Sequence, residues 1–590
     1  IEFYALAQRP GDYTSFDIAV SCVAVVVLFE AGRRIIGPAL PIIAAIFLAY
    51  DYFGQYMPDI IAHQGASLNK LAGHMYLTTE GVFGVPLGVS VSFIYLFVLF
   101  GSLLERAGAG QYFINLAFAL LGKFRGGPAK ASVIASGLTG MVSGSSTANV
   151  VTVGTFTIPL MKKAGLTSTK AGAIEVAAGV NGQLMPPIMG AAAFIIAEFL
   201  GLSYTNVMIA AVIPAFVCYL SLFFIVHLES CKLGLKGMEQ SPGVSKFKIF
   251  ASGLHYLIPI LVLLYTLLIA NESPISAAFN AICVLFLIIL FQEPVKKMAH
   301  GEDVGKEDFI IGFADIFWAM VTAAKSMTTI AIATGLAGII VGSISLTGVG
   351  QVLSEVVENL AGNNIVLILF LTAIMSLILG MGLPTTANYI VVSSLVAPVI
   401  LFLAHKNGFL IPAIAVHLFV FYFGILADDT PPVGIAAYAA AGIAKANPVT
   451  VGVQGFFYDL RTTILPFSFV FNNKLLLIES VNSANPNDAK GIVWITNPLE
   501  MALIFGTALV GMFAFSSALQ GYFVKRVSML ERALLLCVVP LTLVPNMCAK
   551  YIPFIANEYI SYAIGVSLYA ALFAFQWIQN KAEKRAGVGA

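Results

Sequence analysis

Residues 137–165 read GLTGMVSGSSTANVVTVGTFTIPLMKKAG, an apolar stretch interrupted by Gly144-Ser145-Ser146-Thr147-Ala148-Asn149 and again at Pro159. A second stretch, GMGLPTTANYI at 380–390, carries a similar interruption and is followed by Pro398. Thr147-Ala148-Asn149 and Thr386-Ala387-Asn388 stand 239 residues apart (149 to 388). Downstream, NGQLMPPIMGAAAFI at 181–195 is answered by DDTPPVGIAAYAAAGIA at 428–444, with the Pro-Pro pairs 245 residues apart (186 to 431). Two motifs in the same order at nearly the same spacing form an internal repeat.

Proline removes a helix donor and clashes with the preceding turn, while glycine lets backbones turn and approach closely. On a lipid-facing helix the freed carbonyls would go unpaired, so such breaks belong where protein encloses a cavity. Carbonyls freed at a break, together with Ser, Thr and Asn oxygens, suit a small hard cation such as Na⁺. Broken helices repeated in two halves point to a binding site near mid-membrane. A single Gly or Pro is more simply a packing contact or a kink; the duplicated pattern is not.

Composition supports a membrane setting. Of 590 residues, 59% are hydrophobic and 10% charged, with a mean hydropathy of +0.92. An ordinary soluble globule carries about 25% charged residues. The apolar runs suit helical spans of roughly 20 residues rather than the alternating strands of a barrel. The reading is therefore an all-α polytopic membrane protein, with membrane lipids as its solvent. A net charge of +1 points to no nucleic acid partner. The six cysteines (Cys22, Cys218, Cys231, Cys283, Cys537 and Cys548) form no CxxC pair and read as buried small hydrophobes. Targeting is not legible at the Ile1 start.

The pattern predicts spans near 16–31, 35–53, 87–104, 252–270, 275–292, 462–479, 499–520, 528–547 and 555–577, with a polar loop of amphipathic helices at 54–86. The segment 108–121 is short for a span. Five regions follow: N-terminal spans (1–125), a first transport repeat (126–292), a charged linker (293–310), a second repeat (311–460) and C-terminal helices (461–590). Basic clusters at Lys123/Arg125, the 232–248 loop, Lys296/Lys297, Lys445, Lys525/Arg526 and the tail (Lys581, Lys584, Arg585) place these loops and the C-terminus in the cytoplasm.

The four quoted motifs together resemble the large membrane subunit of tripartite ATP-independent periplasmic (TRAP) transporters. The arrangement is most similar to the fused permease of the TAXI-associated branch, in which small and large membrane components share one chain. The resemblance is strongest over about 87–450; the N-terminal spans resemble the fused small component, and the last spans match this branch's longer C-terminal end. It implies a multi-pass protein of the bacterial inner membrane, built as an inverted repeat with two helical hairpins whose tips enclose substrate and Na⁺. It further implies a periplasmic TAXI-type substrate-binding protein as partner, a small organic acid as substrate and an elevator-like movement.

On that resemblance the first set of site residues is Ser143, Gly144, Ser145, Ser146, Thr147 and Asn149, with Asn181, Gly182, Gln183, Pro186 and Pro187. The second is Gly380, Gly382, Pro384, Thr385, Thr386 and Asn388, with Asp429, Thr430, Pro431 and Pro432. The expected cation ligands are Ser143, Gly144, Ser146, Asn149, Asn181, Gly182, Gly380, Gly382, Thr385, Asn388, Asp429 and Thr430. Substrate is expected at Ser145, Thr147, Gln183, Pro186, Pro187, Lys325, Pro384, Thr386, Pro431 and Pro432. Ser146 and Thr385 are further candidates to donate to a substrate carboxylate. A single hydroxyl has the alternative of bonding its own helix backbone. Asp428 and Asp429, costly in an apolar segment, either help a cation site or mark a wet helix end. The first half has Leu184-Met185 in their place, so two cation sites would differ chemically. Lys325 attracts an anionic substrate, pairs with Asp315 or snorkels. Glu175 and Glu198 are weaker candidates for proton or ion coupling.

Seven scattered histidines form no HExxH, and neither a Walker loop nor a GxSxG elbow is present. The expectation is a transporter and not an enzyme, with no cofactor beyond Na⁺ as coupling ion. The alternative is an ion-independent channel or facilitator.

Overall fold

The computed structural model describes residues 6, 8, 11–237, 245–352, 355–356, 364–481 and 491–585. The Ile1 start, the middle of the 232–248 loop and the Lys584 side chain lie outside the described residues. In chain order the helices are α1 (Ser15–Ile35), α2 (Ala39–Phe53), α3 (Leu68–Ala72), α4 (Val85–Val89), α5 (Tyr95–Ala107), α6 (Ala109–Leu121), α7 (Gly127–Ser143), α8 (Ser146–Lys163), α9 (Ser168–Asn181), α10 (Ala191–Leu200), α11 (Tyr204–Lys232) and α12 (Lys246–Ser252). They continue as α13 (Leu257–Leu268), α14 (Pro274–His300), α15 (Lys306–Thr347), α16 (Ile365–Gly380), α17 (Thr385–Lys406), α18 (Ala413–Leu426), α19 (Ile435–Ala444), α20 (Pro448–Phe471), α21 (Pro498–Gln520), α22 (Met529–Leu543), α23 (Pro545–Tyr551) and α24 (Glu558–Arg585).

Among the described residues eight helices are long and apolar enough to cross a membrane, or up to ten if two bent pairs each count as one span. The eight are α1, the continuous Val85–Ala107 segment, α11, α14, α15, α17, α21 and most of α24. The bent pairs are Lys246–Ser252 with Leu254–Leu268, at 42°, and α22 with α23, at 102°. Large apolar side chains such as Val23, Val27, Leu261, Leu287, Phe313 and Phe317 stand exposed, as a hydrocarbon solvent permits. Helices dominate because each satisfies its own backbone within the segment. The chain is a polytopic α-helical membrane protein.

The structure redraws two expected boundaries. The span expected at 462–479 is instead the end of α20, followed by a 3₁₀ turn at Asn473–Leu476 and a short antiparallel ladder of β1 (Ile478–Ser480) with β2 (Val493–Trp494). Asn472 ends α20 and its side chain bonds the Leu543 carbonyl, which stops the apolar run from continuing as helix. The charged 293–310 segment is mostly helical: α14 runs to His300 and α15 starts at Lys306. Glu293 pairs with Lys296 at 2.7 Å within α14, and Lys297 pairs with Asp308 at 2.6 Å, so these charges stabilise helix ends.

The chain divides into two compact units, each made of discontinuous segments. The first comprises Ile1–Ala107, Gly190–Thr205 and His255–Phe409. Its spine is α15, whose 42 residues extend roughly 60 Å at about 1.5 Å per residue. Against it pack α1, α2, α4, α5, α14 and α17. Their shared core includes Leu40, Ala44, Met75, Leu336, Ile340 and Leu383. The second unit comprises Gly108–Met189, Asn206–Leu254 and Leu410–Ala590. At its centre α9 packs on α7, α8, α19 and α20, while α21, α22 and α24 form a C-terminal group.

Candidate functional site

Each repeated motif folds as a break between two helices that pack on one another. In the second unit α7 ends at Ser143, Gly144 turns the chain at φ +61°, and Ser145 caps α8 by accepting the Ala148 N–H. In the first unit α16 ends at Gly380, Gly382 takes φ +81°, and α17 begins after Pro384. Only glycine adopts these left-handed angles without a Cβ clash. Pro159 lies inside α8 and Pro398 inside α17, each 14 residues past its cap (145 to 159, 384 to 398).

The two asparagines match more closely still. Asn149 Nδ2 donates to the Ser136 carbonyl at 2.9 Å, and Asn388 Nδ2 donates to the Ser376 carbonyl at 3.2 Å. Both side chains are buried, and the Oδ1 of each has no hydrogen-bond donor among the described residues. A buried amide oxygen without a donor loses its water and gains nothing in return, unless something electropositive visits it. Ser143 Oγ at the end of α7 is likewise buried and unpaired. Thr385 is buried, and Ser145 is exposed at the break itself.

The downstream motifs also interrupt helices. α9 ends at Asn181, a 3₁₀ turn spans Gly182–Leu184, the Pro186–Pro187 bond is cis, and helix resumes at α10. α18 ends at Leu426, Pro431–Pro432 is cis, and α19 begins at Ile435. Thr430 Oγ1 donates back to the Leu426 carbonyl at 2.6 Å, closing the end of α18. Pro432 is exposed and Pro187 buried.

Within the second unit these pieces meet. Gly140 of α7 lies directly on Gly182, where an added Cβ would stand 2.8 Å from Gly140 Cα and 2.9 Å from Asn149 Nδ2. Ser146 Oγ donates to Asp428 Oδ2 at 2.5 Å, and Gln183 Nε2 donates to the same oxygen at 3.2 Å. Asp428 is thus hydrogen-bonded to the 144–149 break and to the turn after α9. Asp428 is 6% exposed and Asp429 is 0% exposed.

Beside them lies a cluster the sequence reading missed. Asn181 Nδ2 donates to Asp459 Oδ1 at 2.7 Å, Thr462 Oγ1 donates to Asn181 Oδ1 at 3.2 Å, and Arg461 Nη1 donates to Asp459 Oδ1 at 2.5 Å. Asp459 and Arg461 are fully buried in α20. The Asp429 and Asp459 carboxyl groups adjoin one another. Both oxygens of Asp429 lack a donor among the described residues. The available sequence signal was the Asp459-x-Arg461 pair inside an apolar helix, where ionisable groups are expensive.

Other candidates separate from this group. Glu175 of α9 is fully buried and accepts hydroxyls from Ser132 and Ser136 of α7 and Thr157 of α8, tying both arms of the break to α9. Glu198 is exposed on α10, and Lys325 is exposed on α15. Asp315, one expected partner of Lys325, bonds Arg106 at 2.8 Å instead. Among the described residues no group of three or more His, Cys, Asp or Glu is arranged to hold a metal ion.

Comparison with known proteins gives two family matches. Residues 23–484 match the family model described as "Tripartite ATP-independent periplasmic transporter, DctM component", and residues 501–564 match a domain of unknown function, DUF3394. The 2,3-diketo-L-gulonate TRAP transporter large permease protein YiaN of Escherichia coli (strain K12) is 21% identical over 406 residues, covering 66% of this chain and 86% of that protein. The C4-dicarboxylate TRAP transporter large permease protein DctM of Pseudomonas aeruginosa is 28% identical over 249 residues, 40% of this chain and 57% of that one. Among solved structures, the Alcanivorax borkumensis YdaH transporter aligns at 17% identity with a TM-score of 0.46, covering 78% of this chain and 99% of that chain.

Proposed function

Because this chain belongs to the tripartite ATP-independent periplasmic transporter family as a DctM-type large permease, a transport protein of the inner membrane and not an enzyme, we propose that it imports a small organic carboxylate by Na⁺ symport. A separate periplasmic substrate-binding protein, of the TAXI type, delivers the substrate. The relatives' names point to organic acids: a diketo-gulonate for one and C4-dicarboxylates for another.

One observation carries the coupling. Asn149 and Asn388 occupy equivalent places at two glycine-turned breaks, and each leaves a buried Oδ1 without a donor. Neutral oxygens at helix breaks are the ligands an alkali cation takes in such folds. Na⁺ supplies positive charge beside the substrate when bound. The cation ligands proposed from the two sets are the side-chain oxygens of Ser143, Ser146, Asn181, Thr385, Asp429 and Thr430, and the backbone freed by the turns at Gly144, Gly182, Gly380 and Gly382. The substrate contacts proposed from the two sets are Ser145, Thr147, Gln183 and Thr386 as donors to a carboxylate, with Lys325 as a source of positive charge. Pro186, Pro187, Pro384, Pro431 and Pro432 shape the breaks. The two breaks act as hairpin tips of an inverted repeat, and transport proceeds by an elevator-type movement with the C-terminus in the cytoplasm.

The test is uptake of labelled 2-oxoglutarate and other carboxylates into liposomes holding the full chain, with its genome-neighbour binding protein and with or without an inward Na⁺ gradient. Accumulation that needs both supports the proposal. Equilibration without gradient or binding protein favours an ion-independent channel or facilitator.

A further inference from the structure

Away from the broken helices, the second unit holds a groove of about 1020 Å³. Its walls are apolar and aromatic: Phe224 and Leu228 of α11, Phe523 of the turn after α21, and Tyr569 and Phe573 of α24. Phe523 sits with its ring centre 5.1 Å from Tyr569 and 5.6 Å from Phe573. Its rim is basic, formed by Arg125, Lys525 and Arg526. The sequence separates these residues by four hundred positions and marks them as cytoplasmic loop charges; the fold gathers them at one place.

That place lies at helix ends. α11 finishes at Lys232, α21 at Gln520, α22 starts at Met529 and α7 at Gly127. In a chain that crosses the bilayer, the ends of membrane helices lie at headgroup depth, and apolar walls continue toward the acyl region.

The basic rim is held in place. Gly521 turns at φ +61°, the Val527 N–H bonds the Gly521 carbonyl, and Gln576 Oε1 accepts from both the Val524 and Lys525 N–H groups. Arg125 bonds the Cys231 carbonyl at 3.4 Å. Among the described residues charge is left over: Lys525 pairs with Glu583 at 2.6 Å, and neither Arg125 nor Arg526 has an ion pair. His227, also in the wall, has its Nδ1 3.0 Å from Lys130 Nζ.

We infer that this groove binds an anionic phospholipid, with its phosphate between Arg125 and Arg526 and its acyl chains along Phe224, Phe523, Tyr569 and Phe573. Two unneutralised guanidiniums above an aromatic, apolar wall match a ligand that is anionic at one end and hydrocarbon at the other. Guanidinium forks suit phosphate oxygens better than a lysine point charge does. The volume lies at the upper end of small-molecule sites, about 300–1,000 Å³, and exceeds what a lone inorganic anion fills. Bound lipid would bridge α11 to α24 and the α21–α22 turn, giving the C-terminal helices a membrane-linked role in the full-length protein.

The test uses the purified full chain in neutral detergent, with native mass spectrometry and thermal unfolding as readouts. Phosphatidylglycerol and phosphatidylcholine of identical chains are titrated separately, with glycerol phosphate as a chain-free competitor. The expected result is saturable phosphatidylglycerol binding at least tenfold tighter than phosphatidylcholine, unaffected by glycerol phosphate. The Arg125→Gln/Arg526→Gln double variant is expected to weaken it by roughly tenfold. Arg526→Gln alone, on an exposed turn, gives an intermediate loss and serves if the double variant does not fold. Equal binding of the two lipids, undiminished binding by a folded variant, or displacement by glycerol phosphate would each overturn the inference.

Discussion

Ser146 donates its hydroxyl to Asp428 across 282 residues of sequence, joining the helix break at 144–149 to the acidic turn after α18. A hydrogen bond to a buried carboxylate contributes more than one between neutral groups, about 1.5–3 kcal/mol. It also fixes the break at which the cation and substrate are proposed to sit. Ser146→Ala and Asp428→Asn are each expected to lower gradient-driven uptake at least tenfold. The double variant should be little worse than the poorer single one, because both remove the same contact. Strictly multiplicative losses in liposome uptake would show that the two residues act separately.

Asn149 and Asn388 provide the second test. Each holds its break through Nδ2 and leaves Oδ1 free of donors. Asn→Asp keeps an oxygen there and adds charge, while Asn→Ala removes both functions. Asn149→Ala and Asn388→Ala are expected to weaken Na⁺ affinity by roughly tenfold or more in Na⁺-dependent fluorescence or calorimetry, with substrate affinity measured at saturating Na⁺ less affected. Unchanged Na⁺ affinity in both folded variants would remove these side chains from the proposed cation sites.

Gly182 carries a packing demand that can be separated from any ligand role. A Cβ there would stand 2.8 Å from Gly140 Cα and 2.9 Å from Asn149 Nδ2, and neither the backbone nor a buried amide can withdraw cheaply. Gly182→Ala is expected to destabilise the chain by about 1–3 kcal/mol through overpacking. Thermal unfolding in detergent should show a lower midpoint with and without Na⁺. A variant as stable as the parent would mean that α7 and the turn after α9 separate easily.

Sequence alone made the breaks legible because their chemistry is local. Gly144, Gly382 and the two Pro-Pro pairs cannot continue a helix wherever they stand, so composition and spacing located four interruptions that the fold contains. Pairing among them was not legible. The sequence left open which break Asp428 serves, and only the fold shows it bonded to Ser146 and Gln183. Nor could linear order bring Asp459 to Asn181, since that contact depends on α20 packing against α9. The expected span at 462–479 failed for a related reason: apolar character persists past Phe471, but Asn472 is fixed to the Leu543 carbonyl by tertiary structure.

Arg461 offers the sharpest test of the buried charge cluster. Its Nη1 donates to Asp459 Oδ1, the Tyr458 carbonyl and Thr462 Oγ1, while its Nε and Nη2 have no acceptor among the described residues. Removing one partner of a buried pair strands the other charge and costs about 3–5 kcal/mol, whereas replacing both partners together is often close to neutral. Here the stranded charge would be Asp459, with Asp429 adjoining it, so the penalty should sit at the top of that range. Arg461→Met is therefore expected to lower the unfolding midpoint markedly, and Asp459→Asn in the same chain to restore much of it. The restored double variant separates stability from transport. If Asp459 and Arg461 serve only to hold α20 to α9, uptake should recover along with the midpoint. If the buried acid and guanidinium are themselves used in coupling, the double variant will be stable yet fail to accumulate substrate on a Na⁺ gradient. A folded Arg461→Met chain as stable as the parent would show that the cluster is already neutralised without the guanidinium.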